Sequence, residues 1–168
     1  ARSLRPDPNR TVLIGHSMGG FMTVEAAAAD PAIKAFATIS AADMSGRMQA
    51  MLAMEKRSDA IAAMAHGLAK EGMAPLAGCT PDGLANELAD HATSWPFLDK
   101  VEALKNRTAL ILTADDGLTR ENNAFAAALR NAGDTHVTTR HFATDHAYSD
   151  KRIELSHAVL AWLAGLPK

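Results

Sequence analysis

The chain has 168 residues, 48% of them hydrophobic, and a formal net charge of −2. That length is one domain with a single core, and so small a charge gives no basis for binding nucleic acid or an anionic membrane. No apolar run approaches the roughly 20 residues needed to span a bilayer, and the single cysteine, Cys79, excludes an internal disulfide and fits a reducing, cytoplasmic setting.

In chain order, Arg10–Gly15 (RTVLIG) is a short apolar, β-branched run that predicts a buried strand. A helix is expected from about Met18 to Asp30, ended by Pro31. Ile33–Ser40 (IKAFATIS) predicts a second buried strand and Thr108–Thr113 (TALILT) a third. Thr119–Ala132 predicts a helix, with Thr119 as N-cap and Gly133 at C′. His136–Ala143 predicts a fourth, half-buried strand, and Ser149 is placed to cap a last helix running to about Ala164. Alternation of this kind predicts an α/β domain, a mostly parallel sheet with helices on both faces.

Between the second and third strands lies an insertion, Asp43 to Pro96, that reads as a helical cap. Met44, Met48 and Met51 fall on one helical face, and Ile61, Met64, Ala65 and Leu68 on another, with Gly72 as a stop. Thr80-Pro81 predicts a further helix start. Six of the eight methionines lie in this segment. A methionine stripe suits plain packing, and it also suits contact with an acyl or aromatic group.

The strongest chemical signal is Gly15-His16-Ser17-Met18-Gly19-Gly20, a G-x-S-x-G pattern between a predicted strand and a predicted helix. A serine in so tight a turn has its hydroxyl pushed out above the sheet. Gly15 and Gly19 are expected to be small to avoid collision, and Gly20 to let the helix approach the strand. The Met18 N–H, at the helix start, is the candidate oxyanion donor. A serine hydroxyl needs a base, and a neutral imidazole oriented by a carboxylate serves. Asp115-Asp116-Gly117 follows the third strand and Asp145-His146 the fourth, giving the order Ser…Asp…His. His146 is the candidate base. Asp116 is favoured as the acid, with Asp115 as the alternative. His16 reads as a packed or hydrogen-bonded residue, and His66 and His91 are too far apart to read as metal ligands.

GHSMGG, TADDGLTREN and TDHAYSDKRIEL followed by VLAWL together resemble the α/β-hydrolase superfamily, nearest the dienelactone-hydrolase and prolyl-oligopeptidase-like branch. Dienelactone hydrolases themselves use cysteine where this chain has Ser17. The resemblance implies hydrolysis of a small-molecule ester, thioester or peptide substrate through an acyl-enzyme, with no cofactor and no metal. It also implies strands ahead of the nucleophile, and an upstream loop with a second oxyanion donor, that are not found before Gly15. The chain is therefore expected to be the C-terminal portion of such a fold, open along its first strand to self-association or to an N-terminal complementing segment. Two other readings stand beside hydrolysis. One is a non-catalytic subunit pairing through that edge. The other is an acyltransferase using the same three residues.

Overall fold

The computed structural model describes residues 11–72 and 76–167. Arg10, where the first strand was expected to start, and Met73, one of the insertion's methionines, lie outside the described residues. The chain divides into two compact units, one comprising residues 1–42 and 100–168 and the other residues 43–99.

The first unit is built on four parallel strands: β1 (Val12–His16), β2 (Ala35–Ile39), β3 (Thr108–Ala114) and β4 (Val137–Phe142), in the order β1-β2-β3-β4. β2 and β3 are buried on both faces and read accordingly as continuous apolar runs. β4, expected to be half-buried, is largely exposed, with only Phe142 buried. Among the described residues β1 pairs with β2 alone, so its other side is a sheet edge.

Helices cover both faces. Ala37, Leu110, Leu112 and Ala114 form one buried cluster with Phe142 and Tyr148, against which Leu155, Ala158, Val159 and Trp162 of α7 (Arg152–Ala164) pack. Side chains alternate across a strand, so Phe36 and Thr38 point to the opposite face. There Phe36 meets Phe125 of α6 (Thr119–Asn131), the ring centroids 6.4 Å apart. α1 (Met18–Ala29) packs on β1 and β2, and the single turn α5 (Val101–Leu104) lies against α1 and α6. Arg107, though buried, is satisfied: its guanidinium donates to the carbonyls of Asp30 and Ile33 in the turn before β2.

Two expected caps are corrected. Thr119 does not cap α6; Leu118 holds the N-cap position, and the Thr119 hydroxyl donates instead to the Ala114 carbonyl at 2.7 Å. Ser149 does not cap α7, which begins after Lys151; the Ser149 N–H donates to the Asp145 carboxylate. The Thr119 hydroxyl is taken by a nearer carbonyl, and Ser149 lies two residues ahead of the N-cap position at Lys151. Gly133, with φ 95°, ends α6 as expected.

The second unit is helical. It contains α2 (Met44–Met54), α3 (Arg57–Glu71), α4 (Pro81–Asp90) and a short 3-10 turn that begins at Phe97. Thr80 caps α4 by accepting the Gly83 N–H, with Pro81 in the first turn, and α3 ends at Gly72. Both ends of the unit meet at one carboxylate. Asp43 Oδ1 accepts from Gly46 N–H, capping α2, and Oδ2 accepts from Phe97 N–H. Met44, Met48, Ala65 and Leu68 are buried.

Candidate active site

Four residues with chemical potential sit just past the C-terminal ends of the four strands: Ser17 after β1, Ser40 after β2, Asp116 after β3 and His146 after β4. Ligand sites of open parallel sheets lie at this end. Three described non-glycine residues have positive φ, namely Ser17 (56°), Ser40 (43°) and Tyr148 (53°), and all three belong to this end of the sheet. Backbone strain of this kind is held in place by surrounding structure and clusters at functional sites.

The turn at Ser17 is held by the strands below it. Ser17 N–H donates to the Ile39 carbonyl at 2.9 Å, and the Ser17 carbonyl accepts from Gly20, Phe21 and Ala42 N–H. A side chain at Gly15 would strike the Gly19 carbonyl at 2.0 Å and Thr23 at 2.4 Å; one at Gly20 would meet the Ala41 Cβ at 2.5 Å. Those two glycines let α1 lie against the sheet. Gly19 differs from expectation, because a Cβ there meets nothing within 4 Å. Met18 is the first residue of α1, so its N–H belongs to the first turn, where helical N–H groups lack intrahelical partners.

Asp116 Oδ2 lies 2.9 Å from His146 Nδ1, with the carboxylate side chain only 2% exposed. Because a carboxylate accepts, Nδ1 carries the proton and Nε2 of a neutral His146 keeps its lone pair. Asp116 Oδ1 accepts the Leu118 N–H at 3.0 Å across Gly117, whose φ of 82° suits a residue without a Cβ. Burial works against this carboxylate. Hydrogen bonds from the Ser40 hydroxyl, His146 and the Leu118 N–H outweigh it and hold its pKa below the ordinary carboxylate value. Asp115 goes elsewhere, its Oδ1 lying 3.1 Å from His141 Nε2. Asp145 accepts the Ser149 N–H, which keeps its carboxyl low as well.

Three contacts at this end were not read from the sequence. His16 Nε2–H donates to the His146 carbonyl at 2.8 Å, and the two rings lie 4.6 Å apart, which brings the residue before Ser17 against His146. Ser40, fully buried, shares a 3.0 Å hydrogen bond with the Tyr148 hydroxyl. Burial raises the Tyr148 pKa, and the Asp116 charge raises it further. The Ser17 hydroxyl makes no hydrogen bond to another described residue. No group of three His, Cys, Asp or Glu side chains that could hold a metal occurs among the described residues, and no described helix is long and apolar enough to cross a membrane.

A model of the alpha/beta hydrolase family matches residues 1–159. No curated protein matches the chain. Among solved structures it is similar in fold to an esterase from Pyrococcus furiosus, with a TM-score of 0.60 and 14% identity over 91% of this chain and 53% of that one. It is also similar to an S-formylglutathione hydrolase from Staphylococcus aureus (TM-score 0.54, 19% identity, 95% of this chain and 57% of that one). A third is the fluorophosphonate-binding serine hydrolase F of Staphylococcus aureus (TM-score 0.52, 19% identity, 95% and 56%). The chain spans about half the length of each of these structures.

Proposed function

The chain belongs to the alpha/beta hydrolase family, and from that premise we propose that it is a serine hydrolase, cleaving an ester, thioester or amide bond through an acyl-enzyme on Ser17. The observation that carries this reading is the pairing of buried Asp116 with His146 Nδ1 at 2.9 Å, beside the strained turn of Ser17. The carboxylate fixes the tautomer that leaves Nε2 basic, and it stabilises the imidazolium that forms during the reaction.

The steps follow from these roles. His146 Nε2 takes the Ser17 hydroxyl proton as Oγ bonds to the substrate carbonyl carbon. The carbonyl oxygen becomes an oxyanion, toward which the Met18 N–H and the α1 N-terminus are favourable. The tetrahedral adduct collapses, the bond to the leaving group breaks, and that group takes the proton from His146 Nε2. Water then attacks the acyl-enzyme with His146 again as base, which frees the acid and restores Ser17. The similar structures' names include an esterase and a fluorophosphonate-binding serine hydrolase, which supports acyl transfer to water.

The test is covalent. A fluorophosphonate probe incubated with the chain should label Ser17 alone, and Ser17→Ala should abolish the label. A label that survives Ser17→Ala would overturn the assignment.

A further inference from the structure

We propose that His16, the residue before Ser17, is a positioning residue: its imidazole tethers the loop that carries His146 to the end of β1 and so keeps the His146 ring within reach of Ser17. The tether itself is a matter of geometry, and its catalytic meaning rests on the serine-hydrolase reading.

The need for a tether comes from the topology. β4 lies three strands from β1, about 14 Å at the ordinary strand spacing. His146 sits in the loop that follows β4, yet a base for Ser17 has to stand beside the turn that follows β1. Its ring is held at Nδ1 by Asp116, 2.9 Å away. One bond at that nitrogen leaves the residue free to swing about it. His16 supplies a second anchor at the backbone end. Its Nε2 lies 2.8 Å from the His146 carbonyl oxygen. A carbonyl only accepts, so His16 Nε2 carries the proton. The two imidazoles stand 4.6 Å apart, tilted by 40°. Farther along the same loop, the Tyr148 ring is nearly perpendicular to the His16 ring at 6.3 Å. A single side chain of β1 thus meets the backbone and the ring of His146 and the ring of Tyr148.

The strand explains why position 16 can do this. Side chains alternate across a strand, so His16 shares a face of β1 with Ile14, and Ile14 lines a groove with Leu155 and Val159 of α7. The loop from β4 enters α7 on that same face. The anchor is also a firm one. His16 closes the ladder with β2 opposite Ile39, and the next N–H, that of Ser17, donates to the Ile39 carbonyl at 2.9 Å. Because His16 adjoins Ser17, any shift of this strand end carries nucleophile and base together. A histidine that was only solvated at the end of a strand would need neither the carbonyl bond nor the ring contact.

The experiment uses the full chain and three substitutions. His16→Gln places an amide N–H where Nε2 stands, His16→Asn is one carbon shorter, and His16→Phe keeps a ring without the donor. The readouts are the rate of fluorophosphonate labelling, kcat and KM for p-nitrophenyl acetate, and the NMR signals of the His146 carbonyl carbon and Nδ1 proton. His16→Gln should stay within about three-fold of wild type, whereas His16→Asn and His16→Phe should slow labelling and lower kcat about ten-fold or more, with KM little changed. The His146 carbonyl signal should move in His16→Asn and His16→Phe and stay in His16→Gln. The Nδ1 proton signal should persist in all three, since Asp116 still holds the ring. Wild-type rates in His16→Phe, or a His16→Gln as slow as His16→Asn, would overturn the tether. Loss of the Nδ1 proton signal, or unfolding of both His16→Asn and His16→Phe by near-UV circular dichroism, would make His16 a support of the fold and overturn it as well. A wild-type chain that takes no label, while the carbonyl signal moves as expected across the variants, would sink the hydrolase reading and leave the tether standing.

Discussion

Asp115 and Asp116 are neighbours in sequence and turn their carboxylates to different histidines: Asp115 lies 3.1 Å from His141 Nε2, and Asp116 lies 2.9 Å from His146 Nδ1. The first pair is exposed, whereas Asp116 is almost wholly buried. Asp116→Asn should therefore lower Ser17 turnover by about 10³–10⁴-fold through loss of the productive tautomer, and Asp115→Asn should change it only a few-fold. Hydrolysis of a p-nitrophenyl ester by the two variants checks the ranking, and the opposite ranking would make Asp115 the acid.

The depressed pKa of Asp116 has a consequence for stability. A carboxylate held lower in the folded chain than in the unfolded one binds protons more readily when unfolded. Its stabilising contribution is complete above the unfolded carboxylate value and is lost as pH falls through the folded one. Asp145 is shifted in the same direction by the Ser149 N–H, with its largest support at the backbone. Urea midpoints measured from pH 7 down to pH 2 should fall for the wild-type chain, and the gap between it and Asp116→Asn should narrow toward the acid end. A gap independent of pH would show that Asp116 is not held ionised in the fold.

Within the helical unit, two methionines of α2 should part company. Met48 is fully buried and Met54 is 87% exposed. Met48→Ala should cost about 2–5 kcal/mol of stability, and Met54→Ala should stay within about 0.5 kcal/mol. Chemical denaturation measures both.

The four strands, the helix after the nucleophile and the helical insertion were legible because their signals are local: β-branched apolar runs, a glycine-bracketed serine, a Thr-Pro helix start. The positions of Ser17 and His146 were legible for the same reason, each following a readable strand. The misread caps show the limit. Thr119 and Ser149 are good capping residues by type, but the Ala114 carbonyl takes the Thr119 hydroxyl and the last helix starts only after Lys151, two residues past Ser149. Ser40 carried no signal beyond ending the run IKAFATIS, and its bond to Tyr148 appears only once the chain is folded. Tyr148 stood in the Asp-His-x-Tyr stretch, yet nothing in that spacing foretells a partner 108 residues upstream. Asp115 and Asp116 were separable only by the path of the chain through Gly117.

The strand order matches the chain order, and this sets a timetable for synthesis. His16 and His146 are 130 residues apart. At typical elongation rates of 5–20 residues per second, the Ser17 turn leaves the ribosome roughly 6–26 s before His146. Each of β2, β3 and β4 can register on a strand already made. Under the proposed function, the nascent chain throughout that interval carries Ser17 without its base, and acyl transfer becomes possible only when the last strand and the loop beyond it have docked.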